Sequence, residues 1–138
     1  NGDDRAAADS ALEAHRLLPG DVSLARQAFA MALRAGMNDR VVAAYEASPA
    51  AVQADGRTAM TYAFALLRQG DTDRAEAVLM RDGGLSVTDI REGEISLTNL
   101  YLDIARARAG AAGHAFDPAE TDVPRRFDFR MFVPKKRG

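Results

Sequence analysis

The side chains most suited to chemistry are a dense group of carboxylates, Asp89, Glu92 and Glu94, with Arg91 between them. Glycoside hydrolysis needs two carboxylates about 5 to 10 Å apart, and this spacing is compatible with that requirement. The same residues also suit a structural role, in which Arg91 and Arg130 pair with these acids and hold the segment against the tail. We favour the structural role, and a sugar or other ligand contact at Asp89, Glu92 and Glu94 is the alternative.

Other kinds of catalytic or metal site find little support. The sequence has no cysteine, which excludes thiol nucleophiles and zinc-thiolate sites, and its two histidines, His15 and His114, lie far apart. No Gly-x-Ser-x-Gly elbow, phosphate-binding loop or dinucleotide fingerprint occurs. We therefore predict that the protein is not an enzyme and that it uses no metal and no cofactor.

The elements that must position any site are predicted to be helices. The chain has 138 residues, the size of one ordinary globular domain, and no apolar run long enough to span a membrane, so we expect a soluble, cytoplasmic protein. Alanine supplies 28 residues and tryptophan is absent. This composition favours helices that pack closely through small side chains, and so an all-α fold.

An internal repeat is the strongest pattern in the sequence. The segments 36–43 and 70–77 share the pattern Gly-x-x-Asp-Arg-x-x-Ala. The interval from Gly36 to Gly70 matches the period of tetratricopeptide repeats. In such a repeat, glycine ends the first helix in a left-handed conformation and a polar residue caps the second. Gly36 and Gly70 fit the first role, and Asn38 and Asp71 fit the second.

Apolar spacing then predicts the helices of about two and a half repeats within residues 1–84. The predicted helices are at 4–17, at 22–35, from 41 to before Pro49, at 57–69, and from 75 to before Gly83. The predicted fold is a tetratricopeptide-like superhelix of antiparallel helix pairs.

Residues 85–138 depart from the repeat. Glycines and partly alternating apolar residues predict an extended connector over 85–95, followed by an amphipathic helix at 97–109. A stack of repeats leaves its last apolar face open, so we expect this helix and the aromatic tail to pack on the repeats as a cap. The tail is basic, with six basic and one acidic side chain over 124–138. Because the helical region offers no basic stripe that would extend it, we do not predict nucleic-acid binding.

The carboxyl-terminal third also carries a family resemblance. The segment 89–101, followed by Val123-Pro124 and by 128–131, resembles the carboxyl-terminal end of a family of large bacterial tetratricopeptide-repeat proteins of unknown function. In that family a long amino-terminal β-rich region, similar to carbohydrate-binding and sugar-enzyme folds, precedes the repeats. The resemblance implies that this chain is the terminal part of a longer polypeptide and that sugar chemistry lies elsewhere in that parent.

These observations predict a binding function. The first helices of the pairs line the concave wall of such a stack, so the contact residues are expected among them. The expected partner is a protein, a peptide or the upstream domains of the same polypeptide, and a homodimer through the amino-terminal repeat edge is a further option. The candidate contact residues are Arg26, Gln27, Arg34, Arg57, Thr61, Arg68 and Gln69.

Overall fold

A computed structural model describes residues 2–85, 91–113 and 116–117 of the chain. Within these ranges the secondary structure is helical, with no strand, and the predicted all-α class is confirmed. The α-helices are α1 (Gly2–Leu17), α2 (Val22–Arg34), α3 (Asn38–Glu46), α4 (Ala50–Ala54), α5 (Gly56–Arg68), α6 (Thr72–Leu79) and α7 (Arg91–Ala111), and a 3₁₀ turn covers Arg81–Gly83.

The chain divides into two compact units, Asn1–Ser86 and Val87–Gly138. The first unit holds α1 to α6 and the second holds α7. Within the first unit α1 packs on α2, and α5 packs against α2, α3, α4 and α6. Helix α5 therefore lies at the centre of the first unit, which explains why its sequence is apolar on nearly every side.

The repeat in the sequence is present in the hydrogen bonds that begin and end α2 and α5. Asp21 caps α2 by accepting from the amide of Leu24 at 3.1 Å, and Asp55, one repeat period later, accepts from the amide of Thr58 at 3.0 Å. Both helices end in a left-handed glycine, Gly36 with φ 76° and Gly70 with φ 84°. The predicted roles of these two glycines are confirmed.

Each of these glycines belongs to the same C-terminal hydrogen-bond motif. The amide of Gly36 donates to the carbonyl of Leu33 at 3.0 Å, and the next amide donates to the carbonyl of Ala32 at 2.9 Å. The equivalent bonds at Gly70 reach Leu67 and Leu66 at the same distances. This is the Schellman pattern, which satisfies carbonyls that the end of a helix leaves without amide partners. Helices α2 and α5 are thus bounded alike, one repeat period apart.

A row of ring side chains forms the centre of the core. His15 of α1 meets Phe29 of α2 edge-on at 5.1 Å between ring centroids, and Phe29 meets Tyr45 of α3 edge-on at 6.4 Å. Tyr45 in turn stacks on Tyr62 of α5 at 4.1 Å. Phe29 is fully buried, and the other three are at most 7% exposed. Because each ring comes from a different helix, the row joins α1, α2, α3 and α5 through one continuous contact.

Two predicted details are wrong, and one helix is missing from the prediction. Asn38 does not cap α3: the helix is preceded by Met37, without a side-chain cap, and Asn38 is its first residue. The extended connector predicted over 85–95 is too long at its carboxyl end, because α7 begins at Arg91 rather than after Ser96. Acidic residues favour the first turn of a helix, and one glycine costs only about 1 kcal/mol there, so Gly93 does not prevent the helix. The helix α4 was not predicted at all.

The second unit contains α7, whose buried side chains include Leu97, Leu100 and Ile104. These were predicted to share one face, and their spacing of three and four residues agrees with that. Near the end of the helix, the guanidinium of Arg106 lies 5.0 Å from the ring centroid of Phe116. The capping role of this helix stays a prediction, and most of the aromatic tail lies outside the described residues.

Candidate functional site

Two contacts show that α2 and α5 lie side by side in the same direction. Near their amino ends, Nε of Arg26 donates to both carboxylate oxygens of Asp55 at 3.1 Å. At their carboxyl ends, Nη1 of Arg68 donates to the carbonyl of Leu33 at 3.0 Å. The amino ends of the two helices are adjacent, and so are their carboxyl ends. Residues one repeat period apart therefore lie at the same height along the two helix axes.

This alignment produces a two-helix surface with matched positions, which we call the α2–α5 face. On α5 it comprises residues spaced by four, three and four, which places them on one side of the helix. On α2 it comprises the residues one repeat period earlier. All eight are exposed or half-buried. The α2–α5 face consists of Ser23, Gln27, Ala30 and Arg34 on α2, and of Arg57, Thr61, Phe64 and Arg68 on α5.

The α2–α5 face is positively charged. It carries three arginines and no acidic residue, whereas residues 1–86 together carry 12 acidic and 9 basic side chains. Arg34 and Arg68 occupy matching positions, and both are exposed. A cluster of one sign on a surface of the opposite net sign attracts oppositely charged groups and orients their approach. The electrostatics of the α2–α5 face therefore suit a partner with negative charge.

The structure brings most of the predicted contact residues together. Gln27, Arg34, Arg57, Thr61 and Arg68 all belong to the α2–α5 face. Two do not: the guanidinium of Arg26 is bound to Asp55, and Gln69 is the exposed C-cap of α5, just beyond the helix.

Three members of the α2–α5 face, Ser23, Ala30 and Phe64, are not among the predicted contact residues, and Phe64 is the largest of them. Phe64 lies in the apolar stretch of α5, yet it is only half-buried. It stands between Thr61 and Arg68 on the same side of the helix. Its spacing of three from Thr61 and four from Arg68 was the available signal. The α2–α5 face therefore offers an aromatic surface between arginines.

The carboxylate group at 89–94 cannot be placed in the same way. Asp89 and Arg130 lie outside the described residues. Glu92 and Glu94 lie in the first turn of α7, with Arg91 as its first residue, but their side chains lie outside what the structure describes. The sugar site and the ion pairs to Arg91 and Arg130 remain sequence predictions.

A separate polar network joins α6 to α3 and α5. The hydroxyl of Tyr62 donates to Oε2 of Glu46 at 2.7 Å and accepts from Nη2 of Arg74 at 2.8 Å. Burial, together with the hydrogen bond to Glu46, raises the pKa of Tyr62 to about 12. The phenol is therefore protonated at neutral pH and is unsuited to act as a base. This network holds helices together.

A similar network surrounds Tyr45. Its hydroxyl donates to the carbonyl of Gln53 in α4 at 2.7 Å and accepts from Nη1 of Arg81 at 3.0 Å. Nη2 of Arg81 donates to the same carbonyl at 2.7 Å. The two stacked tyrosines thus each place a hydroxyl between an acceptor and an arginine, an arrangement that satisfies the buried phenols.

Metal-binding clusters and membrane-spanning helices are absent from the part of the chain that the structure describes. Among these residues, no group of three or more histidines, aspartates or glutamates comes close enough to hold a metal ion. Each helix in the described ranges is too short or too polar to cross a lipid bilayer.

Comparison with known proteins gives no further guide to function. No protein-family model, no curated protein and no solved structure matches the chain. The geometry and charge of the α2–α5 face are therefore the main indication of function.

Proposed function

We propose that the first unit is a tetratricopeptide-like scaffold that binds an acidic segment of a partner protein through the α2–α5 face. The observation that carries this proposal is the matched pair of helices α2 and α5, with equivalent caps and equivalent side-chain positions one repeat period apart. Repeats of this kind expose equivalent positions at regular intervals, which suits recognition of an extended chain.

The residue types of the α2–α5 face favour binding over catalysis. Arginine presents a planar fork of N–H donors that matches a carboxylate, and the side-chain amide of Gln27 adds a neutral donor. Phe64 supplies an apolar surface for a neighbouring side chain of the partner. The α2–α5 face itself contains no carboxylate that would repel an acidic segment.

The spacing of the helices limits which segment fits. Packed helices lie about 8 to 10 Å apart, so Arg34 and Arg68 belong to rows separated by about that distance. A polyproline II chain rises about 3.1 Å per residue with three residues per turn, so residues three apart project on the same side about 9 Å from each other. We therefore expect the partner segment to carry acidic residues at positions i and i+3.

The resemblance of the carboxyl-terminal third to a family of long tetratricopeptide-repeat proteins adds an intramolecular candidate. In that case the acidic segment belongs to an upstream domain of the same polypeptide. Both sources present the same chemistry to the α2–α5 face, so one binding experiment with a peptide tests them together.

The test uses two fluorescein-labelled peptides, one with glutamate at i and i+3 and one with glutamine at both positions. Fluorescence anisotropy should show binding of the glutamate peptide only, and the affinity should fall as salt rises. Arg34→Glu should weaken binding at least tenfold, because it replaces an attraction with a repulsion. Arg16→Glu is the matched control, since Arg16 is exposed on α1 and pairs with Glu13 outside the α2–α5 face.

Equal loss of affinity in Arg34→Glu and Arg16→Glu would mean that only overall charge matters, and would contradict the proposal. Failure of the glutamate peptide to bind would contradict it as well. Sedimentation at several protein concentrations tests the other option, a homodimer. A strict monomer would exclude the homodimer through the amino-terminal repeat edge.

A further inference from the structure

Helix α1 contacts α2 extensively, but few of its side chains are buried in that contact. The buried residues of this 16-residue helix are Ala8, Leu12 and His15. An ion pair between Asp9 and Arg40 also joins α1 to α3, but both side chains are half exposed, and such pairs contribute little. His15 is only 5% exposed, and it is the largest polar group that α1 buries. The docking of α1 is therefore sensitive to the state of one imidazole.

The hydrogen bonds around Ser48 determine which nitrogen of His15 carries the proton. The hydroxyl of Ser48 donates its single hydrogen to the carbonyl of Ala44 at 2.7 Å. The same oxygen lies 3.2 Å from Nε2 of His15, so in this contact it must accept. Nε2 therefore carries the hydrogen, and Nδ1 is the unprotonated nitrogen of a neutral ring.

A proton added to Nδ1 of His15 would have no hydrogen-bond acceptor among the described residues. Nδ1 of His15 is buried, and no described residue forms a hydrogen bond with it. The ring also packs edge-on with Phe29, an apolar side chain that offers neither a carbonyl nor a carboxylate oxygen to a second N–H. Protonation would create a buried positive charge with an unsatisfied donor, and both are costly. Burial accordingly lowers the pKa of His15.

No charged group among the described residues compensates for this cost. The segments that contact His15 are α2, through Phe29, and the turn that follows α3, through Ser48. Burial alone accounts for the lowered pKa of His15, with no charged group acting on it. Several ionisable side chains of these helices are engaged elsewhere: Glu13 with Arg16, Asp9 with Arg40, Arg26 with Asp55, and Glu46 with Tyr62 and Arg74.

We propose that α1 is a proton-sensitive element: protonation of His15 at Nδ1 releases α1 from α2 and α3. The direction follows from linkage. The undocked histidine binds a proton with its ordinary pKa of about 6.5, whereas the docked one binds it less readily. Docking is therefore fully favourable above about pH 6.5 and weakens as the pH falls below that value, by up to about tenfold per pH unit.

The absence of cysteine from the sequence allows a direct test. Ala8→Cys places a thiol at a fully buried position of α1, and Ala63→Cys places one at a fully buried position of α5. The rate of reaction with 4,4′-dithiodipyridine is measured from pH 7.5 to 5.0 and divided by the rate of the same variant unfolded in urea. Protection at position 8 should fall as the pH drops below 6.5, while protection at position 63 should fall much less.

Two histidine variants complete the experiment. In the Ala8→Cys background, His15→Phe keeps a ring against Phe29 but cannot take up a proton, so protection at position 8 should no longer depend on pH. His15→Gln serves the same purpose if the phenylalanine variant is unstable. His114→Gln removes the other histidine of the sequence and should leave the pH dependence unchanged.

Three results would overturn the proposal. They are a pH-independent protection at position 8, a parallel loss of protection at positions 8 and 63, and a pH dependence that survives in both His15 variants. An independent measurement on the unaltered protein is the ¹⁵N spectrum of its histidine side chains. It should show His15 protonated at Nε2 alone at pH 7, and a ring protonated at Nδ1 alone would contradict the proposal.

Discussion

Replacement of Asp55 by alanine tests whether the repeated caps stabilise the first unit as described. The carboxylate caps α5 through the amide of Thr58 and binds Arg26 of α2. Loss of an N-cap costs about 1 kcal/mol of unfolding free energy. The ion pair adds about 1 kcal/mol, since the Asp55 side chain is 10% exposed and that of Arg26 41%. Asp55→Ala should therefore lower the free energy of unfolding by about 2 kcal/mol, the sum of the cap and the ion pair.

The repeat itself supplies the matched control. Asp21 caps α2 in the same way, through the amide of Leu24. Asp21→Ala should cost only about 1 kcal/mol, the value of the cap. Asp55→Asn should also cost about 1 kcal/mol, because asparagine still caps a helix but leaves Arg26 without its charged partner. A third variant, Arg26→Ala, closes a double-mutant cycle with Asp55→Asn.

Thermal and urea unfolding measure these differences. In a unit of this size, about 1 kcal/mol shifts the thermal midpoint by about 4 to 8 °C, so Asp55→Ala should lower it by about 8 to 16 °C. Equal losses in Asp55→Ala and Asp21→Ala would refute the reasoning, because the contact with Arg26 would then contribute nothing.

The same carboxylate predicts a dependence on pH. Burial raises the pKa of Asp55, but hydrogen bonds from Arg26 and from the amide of Thr58 outweigh it and lower the pKa. A carboxyl whose pKa is lowered by folding stabilises the native state above its ordinary pKa of about 3.9. That contribution is lost as the pH falls through the lowered value. In the Asp55→Asn variant, the free energy of unfolding should therefore fall less as the pH is lowered than it does in the unaltered protein.

Further predictions concern the turns and the tyrosine network. Gly36→Ala and Gly70→Ala should each cost about 1 to 2 kcal/mol, since both glycines have positive φ, whereas Gly20→Ala should be nearly neutral in urea unfolding. Equal effects at all three glycines would contradict this. In absorbance at 295 nm, Tyr62 should ionise near pH 12, and Tyr62→Phe should remove that step. Its persistence in the variant would show that another tyrosine is responsible.

The sequence predicted the parts of the fold that local residues determine. Gly36 and Gly70 were recognised because a left-handed helix end favours glycine regardless of the surroundings. The long helices were recognised because their apolar residues recur at three and four positions. Asn38 was misassigned because it and Met37 are adjacent, and residue type alone does not decide which of two neighbours precedes the helix.

Contacts between distant residues escaped the sequence analysis. Helix α4 has only five residues, and the Nε2 group of its Gln53 shares its two hydrogens among the carbonyls of Tyr45, Glu46 and Ser48. These bonds satisfy backbone carbonyls at the carboxyl end of α3, and no local sequence pattern predicts them. For the same reason, only part of the candidate site could be predicted from the sequence. Its polar members follow from the repeat, but the exposure of Phe64 depends on how α5 packs against its neighbours.

The two ties between α2 and α5 also have a mechanical consequence. One lies near the start of both helices, between Arg26 and Asp55, and the other at their ends, between Arg68 and the carbonyl of Leu33. Sliding α5 along α2 by one turn, about 5.4 Å, would break both at once. The pair should therefore resist shear under a pulling force, and a load applied along α5 should be transmitted to α2 rather than absorbed by slippage between them.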